Sequence, residues 1–169
     1  MPNDYDISVE DGEHATLTDD EVRACCDATL ARAGVERPCM VSISFVSEGR
    51  IRALNAEWRG QDRPTDVISL ECERPDDPAL APGEPCELGD VVLAPTYIER
   101  QAGSFGTTVA DESRLLLSHG VLHLLGIDHL SDEDAERMEE LEEAILSDLP
   151  GDGTINRVVL TRHREGDDA

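Results

Sequence analysis

From Leu115 to Ile127 the chain runs thirteen residues without a formal charge, and His119 and His123 sit inside that run among leucines. A third histidine, His129, stands two residues past its end. The run is too short to cross a bilayer, which takes about 20 apolar residues. It therefore belongs in the interior of a soluble domain, where leucines would pack better without imidazoles between them. The chain has only five histidines; the other two, His14 and His163, lie in terminal segments where solvent exposure is expected.

Spacing supplies a reason for the cluster. The periodicity predicts a long helix from about Val109 to Leu125, ended by Gly126 in a left-handed turn. Residues four apart on a helix share a face, so His119 and His123 project together. Reversal at Gly126 can return His129 as a third ligand. Three neutral imidazoles around one small divalent ion leave a fourth position open, as in a catalytic zinc centre, whereas a structural site has four protein ligands and often sulfur. The ordinary alternative, histidines with no shared role, fits an H-x3-H-x5-H cluster less well than a metal site does.

No cysteine stands near the cluster to close it. The five cysteines, Cys25, Cys26, Cys39, Cys72 and Cys86, form no C-x-x-C pair. An odd number at these spacings reads as free thiols used as small apolar residues.

The remaining elements surround the histidine helix. YDISVE (5–10), CMVSISFV (39–46), DVISLEC (66–72) and LGDVVLA (88–94) read as strands. Thr18 with Glu21 forms a capping box opening a helix to about Arg32. Ser47 caps a second helix whose stripe is Ile51, Leu54, Asn55 and Trp58, with Trp58 expected as a core anchor. Pro95 starts a short helix to about Gln101. Ser131 caps a last one, with Met138, Leu141, Ile145 and Leu149 inward and its many carboxylates toward water. ERPDDPALAPGEP (73–85) reads as an exposed or locally disordered loop. The expected architecture is α+β: a small mixed sheet of about four strands covered by helices, with a metzincin-like zinc helix carrying the metal site. One domain over residues 1–150 is expected, followed by a C-terminal extension, 151–169, with a frayed acidic end and a short strand, INRVVLT.

Composition narrows the setting. Hydrophobic residues make up 39% and charged residues 31%, as in a soluble globular chain. The start, MPNDYDISVE, has no basic segment or apolar stretch of a signal peptide, so a cytoplasmic location is expected. Acidic residues number 38, against 14 basic ones that are all arginine, leaving a net charge of −24. Such a field repels polyanions at long range.

The three histidines and the glycine stand as in the metzincin pattern H-E-x-x-H-x-x-G-x-x-H, but Gly120 replaces the glutamate that would be the general base. General-base assistance contributes about 10²–10⁴-fold, so a zinc protease of that kind is a secondary reading. HGVLHLLGIDH (119–129) instead resembles the H-G-x-L-H-L-x-G-x-D-H signature of the YbeY family of bacterial endoribonucleases. NAEWRGQDRPTDVISL (55–70) is similar to that family's N-x-x-(aromatic)-R-x-x-D-x-x-T-D-V-L-S-F block, with Leu70 in place of the usual Phe. LGDVVLAP (88–95) resembles its L-G-D-I strand. Order and spacing agree over roughly residues 5–149.

The resemblance implies a zinc-dependent endoribonuclease acting on single-stranded RNA, in maturation of ribosomal RNA (the 3′ end of 16S) and in ribosome quality control. It implies one Zn2+ per chain on His119, His123 and His129. Arg59 matches the family's functionally important arginine, suited to meeting phosphate charge with parallel hydrogen bonds. Arg63 is a second candidate for phosphate contact, and Asp128 could orient a ligand or shape the turn. The implied partners are ribosomal RNA and the small ribosomal subunit with its assembly factors, with no DNA and no membrane. A non-catalytic assembly factor with a structural metal is the third reading.

Overall fold

The computed structural model describes residues 2–127 and 131–155. In chain order the elements are β1 (Asp4–Val9), α1 (Asp19–Arg32), β2 (Cys39–Phe45), α2 (Glu48–Arg59), β3 (Val67–Glu71), β4 (Cys86–Leu93), α3 (Pro95–Phe105), α4 (Val109–Leu124) and α5 (Asp132–Ser147). The sheet order is β1-β2-β4-β3. β1 and β4 both run parallel to β2, and β3 pairs antiparallel with β4. This is the expected α+β arrangement with a four-stranded mixed sheet.

Alternation explains the layering. β2 buries every second residue, Cys39, Val41, Ile43 and Phe45, as a strand covered mainly on one face does. Those side chains meet Val22, Cys25, Cys26 and Leu30 of α1 and Leu116, Leu117, Val121 and Leu124 of α4. On the opposite face Ile51 of α2 packs with Ile68 and Val92. α5 lies against α4 through Met138, Ile145 and Leu122. α4 thus runs between the sheet and other helices, and nearly all of it is buried.

Register is adjusted where the sheet needs it. Pairing of β2 with β4 skips Leu88, so Met40 faces Glu87 and Val41 faces Gly89. Gly89 has φ +132°, and a Cβ there would lie 2.1 Å from the Leu70 carbonyl oxygen. Only glycine admits β3 at that distance.

Side-chain caps appear at Thr18, Ser47 and Ser131, where the sequence places them, and at Thr108 as well. Thr18 and Glu21 bond each other's backbone N–H reciprocally; Ser47, Thr108 and Ser131 accept from Arg50, Asp111 and Asp134. α3 runs one turn past the expected end at Gln101, because Gly103 is tolerated within it and the stop is Gly106 at φ +73°. The proline-rich 73–85 segment is held in place by Arg37, whose guanidinium donates to the carbonyls of Pro75, Ala81 and Glu84.

All five cysteines are free and four are buried. Burial pushes the Cys25 thiol up to about 11 and Cys86 up to about 12, so these thiols stay protonated at neutral pH and behave as apolar residues. Among the described residues, no helix is long and apolar enough to cross a membrane. The start of the INRVVLT segment is described only to Ile155, and the rest lies outside the described residues.

Candidate active site

The site begins with how closely α4 can approach the sheet. At Gly120 a Cβ would stand 2.8 Å from Val91 Cγ1 and 3.2 Å from Ser69 Oγ, so not even a methyl group fits without displacement. The Ser69 hydroxyl donates to the Gly120 carbonyl at 2.8 Å, fixing the helix to β3. The position that holds the protease glutamate in the metzincin pattern is therefore filled by the sheet. A base at 120 is excluded by packing.

With Gly120 against the strands, His119 and His123 turn toward each other. Their Nε2 atoms lie 3.0 Å apart, and the rings meet edge to face at 77° with centroids 4.5 Å apart. His119 is 2% exposed. Its Nδ1 stands 3.6 Å from Glu142 Oε2 of α5, and Glu142 is fully buried. That separation exceeds a hydrogen bond; the carboxyl group stands behind the ring, on the side of His119 away from His123.

Glu142 corrects the expectation that the carboxylates of α5 face water. It lies four residues after Met138 and three before Ile145, both buried, so helical spacing points it inward. That spacing was the available signal.

After His123 the helix ends as expected. The Gly126 N–H donates to His123 O and the Ile127 N–H to Leu122 O, with Gly126 at φ +84°, the two bonds of a Schellman motif. Asp128 and His129 lie outside the described residues. Among the described residues, no group of three histidine, cysteine or acidic side chains is placed to hold a metal ion.

The histidine pair faces a cavity of about 680 Å³ shared with Trp58, Arg59, Ser69, Leu70, Glu71 and Asp90. Arg59 is the last residue of α2 rather than part of the following loop, and it is exposed. Arg63, the second phosphate candidate, does not line the cavity; it donates to Gln61 Oε1. Trp58 is 61% exposed, against the expectation of a core anchor. Its helix buries Ile51 against Ile68 of β3 and Asn55 beneath the loop that follows, and one turn later Trp58 stands at the cavity instead.

Buried polar residues fix the segment between Arg59 and β3. Asn55 donates from Nδ2 to Arg63 O, and its own carbonyl accepts from the N–H groups of Gly60 and Gln61. Asp66 accepts from its neighbour's N–H at Val67 and from Gln101 of α3. Thr65, which donates to Asp66 Oδ1, and Asp66 thus hold the approach to β3. The clamping role of Asn55 was not foreseen, because its acceptor-rich surroundings come from a loop folding back on the helix.

A mixed sheet with a buried, histidine-bearing helix beside an arginine-lined cavity defines an α+β protein with a hydrolase-like centre. The profile of the Endoribonuclease YbeY family matches residues 6–150. Endoribonuclease YbeY of Paramagnetospirillum magneticum is 40% identical over 79% of this chain and 83% of its own length. That of Ruegeria pomeroyi is 41% identical over 85% of this chain and 93% of its own. The solution structure of TM1509 from Thermotoga maritima superposes with a TM-score of 0.55 at 25% identity, covering 98% of this chain and 96% of that one. This chain belongs to the YbeY family of endoribonucleases.

Proposed function

We propose that the chain is a metal-dependent endoribonuclease cutting single-stranded RNA, with one zinc ion on His119, His123 and His129 and with Arg59 meeting the phosphate. The observation that carries this reading is the convergence of the two Nε2 atoms, 3.0 Å apart, on a cavity that Arg59 also lines. Membership of a family whose relatives are named endoribonucleases supports RNA as the substrate.

The residues present fit zinc. The gap between the nitrogens is shorter than two zinc–nitrogen bonds of about 2.0–2.1 Å, so one ion can touch both. Neutral imidazole is a common zinc ligand, and Glu142 behind His119 resembles the outer carboxylate that orients such ligands. Bound there, zinc supplies Lewis acidity toward a phosphoryl oxygen.

The chain's own side chains do the rest. The Arg59 guanidinium pairs with the charge that grows on the phosphate. Asn55 and Gly60 fix the backbone beside it, so Arg59 is held at the cavity wall rather than on a loose loop. Ser69 and Gly120 hold the histidine helix at fixed depth.

The biological setting we propose is maturation of ribosomal RNA and ribosome quality control in the cytoplasm, in contact with the small ribosomal subunit. A protease of metzincin type is disfavoured by the packing at Gly120. A non-catalytic assembly role would leave the arginine and histidines sharing one cavity without a purpose.

Zinc-loaded protein should cut an unstructured oligoribonucleotide and spare the matching duplex. His123→Ala should lose both zinc and cutting, while Arg59→Ala keeps zinc and loses cutting. Equal cleavage by wild type and His123→Ala at matched purity would overturn the proposal.

A further inference from the structure

The cavity has a wall that phosphate chemistry does not use. Trp58 is one of three large apolar side chains exposed among the described residues, with Val9 and Phe105. It alone of the three lines the cavity that holds His119, His123 and Arg59. An indole left 61% exposed retains most of its hydrophobic contribution for a ligand. It also sits next to Arg59 in the chain, on the last turn of a helix whose end is clamped by Asn55 and Gly60.

Charge makes such a wall necessary. A net charge of −24 opposes approach of a phosphate backbone, and Glu71 and Asp90 line the same cavity. Phosphate contacts alone therefore hold RNA weakly here, and increasingly weakly as salt is added. Stacking of a base on an aromatic ring needs no net charge and accepts any base.

We propose that Trp58 is a nucleobase platform: its indole stacks on an unpaired base of the RNA strand whose phosphate lies at Arg59 and the histidines. The inference rests on RNA being the substrate, as proposed above. It gives single-strand preference a structural cause, since a base inside a duplex has both faces covered by its neighbours. The site takes one base face and reads no hydrogen-bonding edge, so it selects strandedness and not sequence.

Trp58 is the only tryptophan in the chain, which makes the test direct. Zinc-loaded full-length protein is titrated with a fluorescein-labelled, 2′-O-methyl single strand, binding being followed by anisotropy; an unlabelled copy reports tryptophan emission. The expected result is quenching that saturates with binding, and none with an otherwise identical abasic strand. Trp58→Ala should weaken binding by about 5- to 150-fold and raise KM for a cleavable strand more than it lowers kcat; Trp58→Phe should recover most of the loss. Binding without quenching, or equal affinity in Trp58→Ala, overturns the platform and leaves the ribonuclease reading intact. No binding of any RNA by wild type removes both.

Discussion

Glu142 of α5 stands 3.6 Å from Nδ1 of His119 on α4, and both side chains are buried. The pair joins two helices at the one nitrogen of His119 that faces away from His123. Removing the carboxylate should leave the fold and weaken the grip on metal. Glu142→Gln is expected to reduce zinc affinity by about 10- to 100-fold, read by competition with a chromophoric chelator, with helical circular dichroism unchanged. Wild-type affinity in that variant would mean the carboxylate does not orient the ring.

Gly120 makes a stability prediction. A methyl group there would press on Val91 and Ser69, and forcing volume into a packed interior costs about 1–3 kcal/mol. Gly120→Ala should lower the urea midpoint accordingly, and Gly120→Glu should not yield soluble folded protein. A stable Gly120→Glu variant would contradict the close packing of α4 on the sheet.

Asp111 links acid stability to residues 151–154. Burial raises its carboxyl, but the Thr154 hydroxyl, the N–H groups of Asp152 and Thr154, and the Arg114 guanidinium outweigh that and hold it below the ordinary value. A depressed folded value means that its stabilisation is present above the unfolded value of about 3.9 and is lost as pH falls through the folded one. Asp111→Asn should lose about 1–3 kcal/mol at neutral pH and show a shallower fall in stability below pH ~4. Urea unfolding at several pH values measures both.

Arg59 should separate binding geometry from charge. Lysine keeps the charge but loses the planar fork, so Arg59→Lys is expected to fall between wild type and Arg59→Ala in kcat for single-stranded RNA. Zinc content should match that of the wild type in both. Full activity in Arg59→Ala would remove its assigned role.

What could be read from residue order follows the range of the forces involved. Caps at Thr18, Ser47 and Ser131 act within one turn, and the Gly126 stop is local, so both were legible. The alternation in β2 reports burial without a partner being known. Trp58 was misjudged because local pattern places it on the inward stripe of α2, and only the positions of other elements decide what that stripe meets. Glu142 was misjudged on its charge, although its spacing from Met138 and Ile145 already pointed inward. The family motifs marked Arg59 and the histidines, but not what holds them.

The proline-rich span between β3 and β4 has a mechanical consequence. Arg37 grips it at three carbonyls, and from its near end the Arg74 guanidinium lies where a Cβ of Gly126 would be, 2.1 Å from Nη1. A tether whose composition promises slack is thereby fastened at three carbonyls, and its near end crowds the bend that follows the histidine helix. Any side chain larger than hydrogen at that bend would have to push the Arg74 guanidinium aside.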